Sequence, residues 1–257
     1  MTLPRYANYP SLADKAVFIS GGGTGIGAAL VTAFAEQRAK VCFVDIQDAP
    51  SEALCESVAA RGLPRPQYRH CDLRDVKKLQ TIMQESAKIA GDFSVLVNNA
   101  ANDDRHTIES VTPEYWDDRI ALNQRHMFFA AQAVIPGMHR LGGGAIVNLG
   151  SISWKIAAGG FPVYATAKSS VHGLTRALAR DLGPHKIRVN TVSPGWVMTE
   201  RQRKLWLDDK GREQIARSQM LPDELLPEHV ARVVLFLASD DAIMCSAQDF
   251  TYDGGWT

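Results

Sequence analysis

Val17-Phe18-Ile19-Ser20-Gly21-Gly22-Gly23-Thr24-Gly25-Ile26-Gly27-Ala28-Ala29-Leu30-Val31-Thr32-Ala33-Phe34 joins a short apolar run, a glycine-rich turn and a second apolar segment without a break. Val17 to Ser20 has the character of a buried strand, and Ala28 to Phe34 that of a helix. Glycines between them let the backbone come close to a ligand. The helix N-terminus beyond offers free amides and the positive end of its dipole to a phosphate. A glycine cluster alone is more often a plain turn. Its place between strand and helix favours a pyrophosphate cradle. Eighteen residues past Gly27, Asp45 closes a second apolar run, Val41 to Asp45, where a carboxylate can accept hydrogen bonds from an adenosine ribose. That charge would repel a 2′-phosphate, so NAD is expected in preference to NADP. Arg38 and Lys40 lie too early to clamp a phosphate, and an aspartate on a surface loop is the plainer alternative.

Further runs follow at Tyr68 to Cys71, Val95 to Asn98, Ala145 to Leu149, Arg188 to Val192 and Asp249 to Tyr252. Segments of helical period separate the first six of these strands. This alternation predicts an α/β fold, a single-domain Rossmann-type doubly wound parallel sheet of about seven strands flanked by helices. The 257 residues suit one domain, 1–257. A charged stretch from about Thr199 to Leu226 reads as a helical excursion that covers the substrate, as lids do.

Composition narrows the partners. Lysine plus arginine and aspartate plus glutamate both number 28, so the net charge is zero and nucleic acid is not favoured. Cys42, Cys55, Cys71 and Cys245 form no C-x-x-C pair and no metal-ligand spacing, which points to free thiols in a reducing compartment and to no metal. Met1 to Leu12 lacks the apolar run of a signal peptide, and other apolar stretches fall short of a bilayer span. A cytoplasmic protein with no membrane partner is the expectation.

Tyr164-Ala-Thr-Ala-Lys168 lies thirteen residues beyond Ser151. On a helix a four-residue step puts the phenol and the ammonium on one face, and a nearby cation favours a phenolate. A single copy of this spacing is more often a solvated helix face.

With these motifs in hand, the chain resembles the short-chain dehydrogenase/reductase family over almost its full length. The matching segments are Gly21-x-x-x-Gly25-x-Gly27, Cys71-Asp72-Leu73, Asn98-Asn99-Ala100, Tyr164-x-x-x-Lys168 and Ser193-Pro194-Gly195. The resemblance implies a catalytic set of Asn123, Ser151, Tyr164 and Lys168. Tyr164 would take the proton of a substrate hydroxyl, Lys168 would lower the tyrosine pKa and hold the nicotinamide ribose, Ser151 would hydrogen-bond the reacting oxygen, and Asn123 would hold a relay water. It implies cofactor contacts at Gly21, Thr24, Gly25, Ile26 and Gly27, at Asp45 and Ile46, at Asp72 (the adenine amino group) and Leu73, at Asn99 and Ala100, and at Tyr164 and Lys168. The nicotinamide would meet Pro194, Gly195, Val197 and Thr199. One departure is Ala101, where the family usually has glycine. Each catalytic residue has a plainer role available: Ser151 could cap its turn, Asn123 could bond its own helix backbone, and Lys168 could be a surface cation.

Asn102, Asp103, Asp104, Arg105 and His106, with Ser153, Trp154, Trp196 and Gln202, are the expected pocket rim. Hydrogen-bonding groups beside aromatic faces suit a sugar better than a steroid or acyl chain. Asn102, Asp103, Ser151, Ser153, Trp154, Tyr164, Trp196 and Gln202 are the substrate-binding candidates; Asp103 to His106 could instead be an exposed ion-paired loop, Trp154 could be packing, and His126 reads as an interior histidine. Within the family these segments, with Arg125-His126-Met127 and Ala238-Ser239-Asp240-Asp241-Ala242, resemble the bacterial NAD-dependent aldose 1-dehydrogenases acting on sugars such as xylose, arabinose or fucose. That resemblance implies oxidation of an anomeric hydroxyl to an aldonolactone. The rival readings are an NAD(H)-dependent enzyme of another secondary alcohol or ketone, such as a keto sugar acid or 3-oxoacyl substrate, and a non-catalytic NAD sensor. By family analogy the helices carrying Asn123 and Tyr164 pair across subunits of a homotetramer; Val171, Leu174, Leu178 and Leu182 form a stripe on the latter that core packing alone would also explain.

Overall fold

The apolar runs become one seven-stranded sheet in a computed structural model that describes residues 6–257; Met1 to Arg5, the start of the stretch read as lacking a signal peptide, lie outside the described residues. The strands are β1 (Ala16–Ser20), β2 (Lys40–Asp45), β3 (Gln67–His70), β4 (Phe93–Asn98), β5 (Gly144–Leu149), β6 (Ile187–Pro194) and β7 (Asp249–Tyr252). All neighbours are parallel, in the order β3-β2-β1-β4-β5-β6-β7. Direction of winding reverses between β1 and β4, and such a reversal opens a crevice at the strands' carboxyl ends.

Alternate residues of each strand face opposite layers, and both layers are apolar, as a doubly covered sheet requires. Val17, Ile19, Val41, Phe43, Val95 and Val97 pack against α1 (Gly25–Glu36) and α9 (Pro227–Ala238) through Leu30, Phe34, Val230 and Val234. Phe18, Cys42, Val44, Leu96 and Ile146 pack on the other side against α3 (Val76–Ala90), α5 (His126–Leu141) and α6 (Pro162–Leu182). α2 (Asp48–Ala60) closes the edge beside β3.

The helix expected to carry Asn123 is not continuous. α4 (Pro113–Ile120) passes into a π-helical turn, Ala121–Arg125, before α5 begins. Asn123 sits in that turn. Its Nδ2 donates to the Arg119 carbonyl at 3.0 Å, and widened turns of this kind tend to mark functional positions. The α6 stripe proves to be core: Val171, Leu178 and Leu182 are buried and Leu174 packs against them, so the apolar face is used within the subunit. The 199–226 stretch forms two short helices, α7 (Glu200–Leu205) and α8 (Asp209–Ser218). Among the described residues no helix is long and apolar enough to cross a membrane.

Candidate active site

At the switch point a cleft of about 970 Å³ runs from the glycine loop to α7. A smaller groove of about 240 Å³ between α1 and α9 lies on another face, lined by Ala28, Ala29, Thr32 and Glu36.

One end of the cleft is built from backbone. Gly21 adopts a φ of +69°, and a Cβ there would stand 2.8 Å from the Ala100 Cα. A Cβ on Gly27 would stand 1.8 Å from the Gly21 carbonyl oxygen, so neither position accepts a larger residue without moving the loop. Ser20 and Asn99 stitch this loop to the segment after β4: Asn99 Nδ2 donates to the Gly21 carbonyl at 2.7 Å, and Ser20 Oγ accepts from the Asn99 amide at 3.1 Å. Thr24 caps α1 in an extended conformation with no side-chain capping bond, which leaves the first-turn amides facing the cleft. Ala101 is exposed and avoids positive φ, so its methyl fits where the family usually has glycine.

Asp45 is buried at the end of β2. Its Oδ2 accepts the Gly23 amide at 2.8 Å and its Oδ1 the Gln47 amide at 3.0 Å, so the carboxylate braces the glycine loop and keeps its charge at the cleft wall. Ile46 beside it lines the cleft, as do Ile26, Leu73, Asn99 and Ala100. Asp72 does not line it: the Arg74 guanidinium grips both carboxylate oxygens, at 2.9 Å and 2.6 Å, and holds the carboxyl below its usual range. Cys71 and Leu73 line that part of the cleft instead. Pro194, Gly195, Val197 and Thr199 close the opposite wall, and Thr199 Oγ1 caps α7 by accepting the Gln202 amide at 3.2 Å. The cradle's shape, its free amides and the carboxylate at β2 fit an adenine dinucleotide.

The other end is built from side chains. α6 begins with Pro162 at its first position, which places Tyr164 in the first turn and Lys168 one turn on, both lining the cleft. His106 caps this helix: Nε2 accepts the Val163 amide at 3.2 Å while Nδ1 donates to the Asp104 carbonyl at 3.0 Å. A rim candidate by sequence, His106 supports the Tyr164 helix. Lys168 is 1% exposed; its Nζ donates to the Leu149 carbonyl at 2.7 Å and lies 5.8 Å from the Tyr164 ring centre. Burial pulls the lysine down to about 8, with Asp103 opposing.

The tyrosine departs from expectation. Burial and then the Asp103 carboxylate hold its phenol above the ordinary value, while a hydrogen bond from Ser151 and the Arg105 charge pull the other way. The Lys168 ammonium is turned to the Leu149 carbonyl. Ser151 also caps its turn, accepting the Ser153 amide at 3.1 Å. Asn123 is buried with both ends occupied: Oδ1 accepts the Asn102 amide at 2.7 Å, so the π turn braces the loop after β4.

At the rim, Trp196 Nε1 donates to Gln202 Oε1 at 2.9 Å, and Gln202 Nε2 donates to Asp103 Oδ2 at 2.8 Å. This chain ties α7 to the loop after β4 across the cleft. Asp104 pairs with Arg201 at 2.5 Å and Arg119 at 3.5 Å, the ion-paired loop of the plainer reading. Ser153 faces the cleft with a buried hydroxyl that has no partner. Trp154 does not line the cleft; it is 39% exposed, and its Nε1 donates to His172 Nε2 at 3.2 Å. The indole follows the turn after Ser151 outward, away from the cleft. His126 is an interior histidine that burial pushes down to about 3. Sequence reading missed Phe161, Trp206 and Trp256. The last arrives from the penultimate position of the sequence, and no local pattern foretells that.

Comparison with known proteins agrees with this architecture. A family model described as enoyl-(acyl carrier protein) reductase matches residues 21–257. The D-xylose 1-dehydrogenase of Caulobacter vibrioides is 50% identical over 250 residues, covering 97% of this chain and 98% of that protein. The probable galactose dehydrogenase GalD of Rhizobium meliloti is 47% identical, covering 99% of both. Among solved structures, a Serratia marcescens short-chain dehydrogenase/reductase superposes with a TM-score of 0.89 at 31% identity, over 96% of this chain and 99% of that one.

Proposed function

The chain belongs to the short-chain dehydrogenase/reductase family, and from that premise we propose that it is an oxidoreductase that converts an aldose, of the pentose or 6-deoxyhexose kind such as D-xylose, L-arabinose or L-fucose, to its aldonolactone. Supporting the sugar reading is half-identity over nearly the whole chain to a D-xylose 1-dehydrogenase. The observation that carries it is the cleft itself: Asn102, Asp103, Ser153 and Gln202 bring hydrogen-bonding groups to the same lining as Tyr164 and Ser151, beside Ile152, Ile156 and Leu205. Phe161 and Trp196 supply flat faces of the kind that sugar rings pack against.

NAD, when bound, would supply the hydride acceptor for the anomeric carbon. Tyr164, as its phenolate, would take the hydroxyl proton, Ser151 would donate a hydrogen bond to the same oxygen, and Lys168 would hold the nicotinamide ribose. Asn123 keeps the loop carrying Asn102 and Asp103 at its height above Tyr164 through the bond from the Asn102 amide. An anomeric hydroxyl is more acidic than an ordinary alcohol, which eases its proton transfer to a phenolate.

NAD is favoured over NADP by the buried Asp45 carboxylate, whose charge opposes a 2′-phosphate. Gly21, Thr24, Gly25, Ile26, Gly27, Ile46, Leu73, Asn99, Ala100, Pro194, Gly195, Val197 and Thr199 would complete its site, and Asp72, paired with Arg74, would accept the adenine amino group. α7 and α8 would cover the substrate. We further propose a homotetramer, supported by Phe128, which is 43% exposed on α5 while the α6 stripe is spent in the core, and a cytoplasmic location in keeping with four free thiols. The test of the function is NADH production from a panel of pentoses, hexoses and deoxyhexoses with NAD and with NADP. Turnover of aldoses with NAD is expected; turnover of 3-oxoacyl or keto-acid substrates with no aldose oxidised would overturn it.

A further inference from the structure

Among the described residues lining the cleft, Arg105 is the one whose guanidinium is held by aromatic rings. Its Cζ lies 3.9 Å from the Phe161 ring centre and 5.0 Å from the Trp206 ring centre. Both contacts fix the plane of the group without using its N–H donors, of which a guanidinium has five. Nη1 is buried with no hydrogen-bond partner, a condition that native structures rarely leave unexplained. The obvious intramolecular partner is engaged elsewhere: Asp103, two residues back, gives one oxygen to Gln202 at 2.8 Å and the other to Arg201 at 3.5 Å. Phe161 also meets the Tyr164 ring edge-on, with centroids 5.5 Å apart, so the unpartnered donor stands one ring away from the proton-accepting phenol.

Building on the aldose reading, we propose that Arg105 reads the non-reacting hydroxyls of the sugar. Nη1 donates to one ring hydroxyl oxygen, and that hydroxyl, or its neighbour, donates to the Asp103 carboxylate. A donor and an acceptor side by side suit a diol, which offers both functions on adjacent carbons. They do not suit a substrate carboxylate, which Asp103 and Asp104 would repel, nor an acyl chain, which would leave the desolvated N–H unmet. Phe161 and Trp206 set the orientation of the guanidinium, and Trp206 reaches it from just beyond α7, so the same segment that covers the cleft positions the reading group.

The test compares wild type, Arg105→Met and Arg105→Lys on the best aldose of the panel, on its singly deoxygenated derivatives, on the matching uronic acid and on cyclohexanol, with NAD affinity measured on each protein as the check of fold. For wild type, one deoxy derivative should lose about 10- to 100-fold in kcat/KM, the range of a hydrogen bond to a charged group. Arg105→Met should lose a similar factor on the parent sugar and nothing further on that derivative, with NAD affinity unchanged and part of the loss restored in Arg105→Lys. If Arg105→Met stays within about threefold of wild type on every aldose, or loses equally on all of them, Arg105 does not read a hydroxyl while the aldose function stands. Preference for the uronic acid would overturn the diol assignment. A wild type that oxidises cyclohexanol and no aldose would overturn the function and the assignment together.

Discussion

The two ends of the cleft are made of different material. The dinucleotide end is backbone: Gly21 and Gly27 fit because they have no side chain, the α1 amides point outward, and a single carboxylate, Asp45, serves as brace and charge. The substrate end is an interlocked set of long side chains from distant segments, in which Trp196, Gln202 and Asp103 form one chain and Arg105, Phe161 and Trp206 one stack. The first end should be intolerant of added volume. The second should tolerate volume but respond to the loss of a single donor or acceptor.

Tyr164→Phe should have the largest effect. It keeps the ring and its edge contact with Phe161 but removes the proton acceptor, so kcat should fall by about 10³-fold or more while NAD affinity, read by calorimetry, stays within about twofold. A loss of NAD affinity instead would mean that the two ends are not separable. Next is Gly27→Ala, the mirror experiment. Its Cβ would overlap the Gly21 carbonyl at 1.8 Å, so the loop must shift, and about 1–3 kcal/mol of overpacking strain should appear as weaker NAD binding or a lower Tm. Unchanged NAD binding and Tm would show the cradle to be softer than its contacts suggest.

That contrast in material also explains what could be read from the residues alone. Seven strands, their parallel winding and the glycine loop were all legible because each is a short continuous pattern: alternation of apolar runs with helical segments, glycines at one turn, an aspartate at the end of one run. Tyr164 and Lys168 were legible as a four-residue helical step. The side-chain end was only half legible. Asn102, Asp103, Ser153, Trp196 and Gln202 could be anticipated at the rim, yet Trp154 was misplaced because nothing in Ser151-Ile152-Ser153-Trp154 says which way the turn after β5 points its fourth residue. His106 was taken for a rim residue and is a helix cap, since the amide it serves belongs to Val163, 57 residues on. The surroundings of the tyrosine lay beyond the same local reading. A helical spacing predicts proximity of Lys168, but only the fold shows its Nζ turned to the Leu149 carbonyl, with the Asp103 carboxylate facing the phenol.

Asp45→Ser should have an intermediate effect, because the residue belongs to both loop and charge. Discrimination against NADP should fall by about tenfold or more as the repulsion of a 2′-phosphate is removed, and NAD affinity should fall as well because the Gly23 and Gln47 amides lose their acceptor. Unaltered cofactor preference would assign Asp45 to bracing alone. Lys168 offers a subtler reading through stability. Its folded pKa is about 8 against an ordinary 10.5, so below about pH 8 both folded and unfolded chains carry the proton and the burial cost, roughly 3 kcal/mol, is fully present. Between about 8 and 10.5 the unfolded chain binds more protons than the folded one, so stability rises with pH across that window. Denaturant titrations from about pH 7 to 9.5 should show this rise in wild type and a flatter line in Lys168→Met. The raised Tyr164 pKa acts only above its ordinary value of 10, where it lowers stability, and so stays outside that range. Equal slopes in the two proteins would mean that Lys168 is better solvated than its burial indicates.

The smallest expected effect tests the boundary of the substrate end with a matched pair of tryptophans. Trp196→Phe keeps a flat face in the cleft but deletes the donor to Gln202, freeing the amide that holds Asp103. KM for the aldose should rise about tenfold with kcat little changed, since the loss falls on ground-state and transition-state binding alike. Trp154→Phe deletes an equivalent donor, the one to His172, outside the cleft. Its kinetic constants should stay within about twofold of wild type, and any cost should appear in Tm or in assembly, because Trp154, His172 and the Lys155–Asp249 ion pair form a cluster at the outer edge of β7. If instead Trp154→Phe raises KM as much as Trp196→Phe does, the turn after β5 must swing its indole inward when the sugar binds. The substrate end would then be assembled by closure, whereas the dinucleotide end stands ready-made.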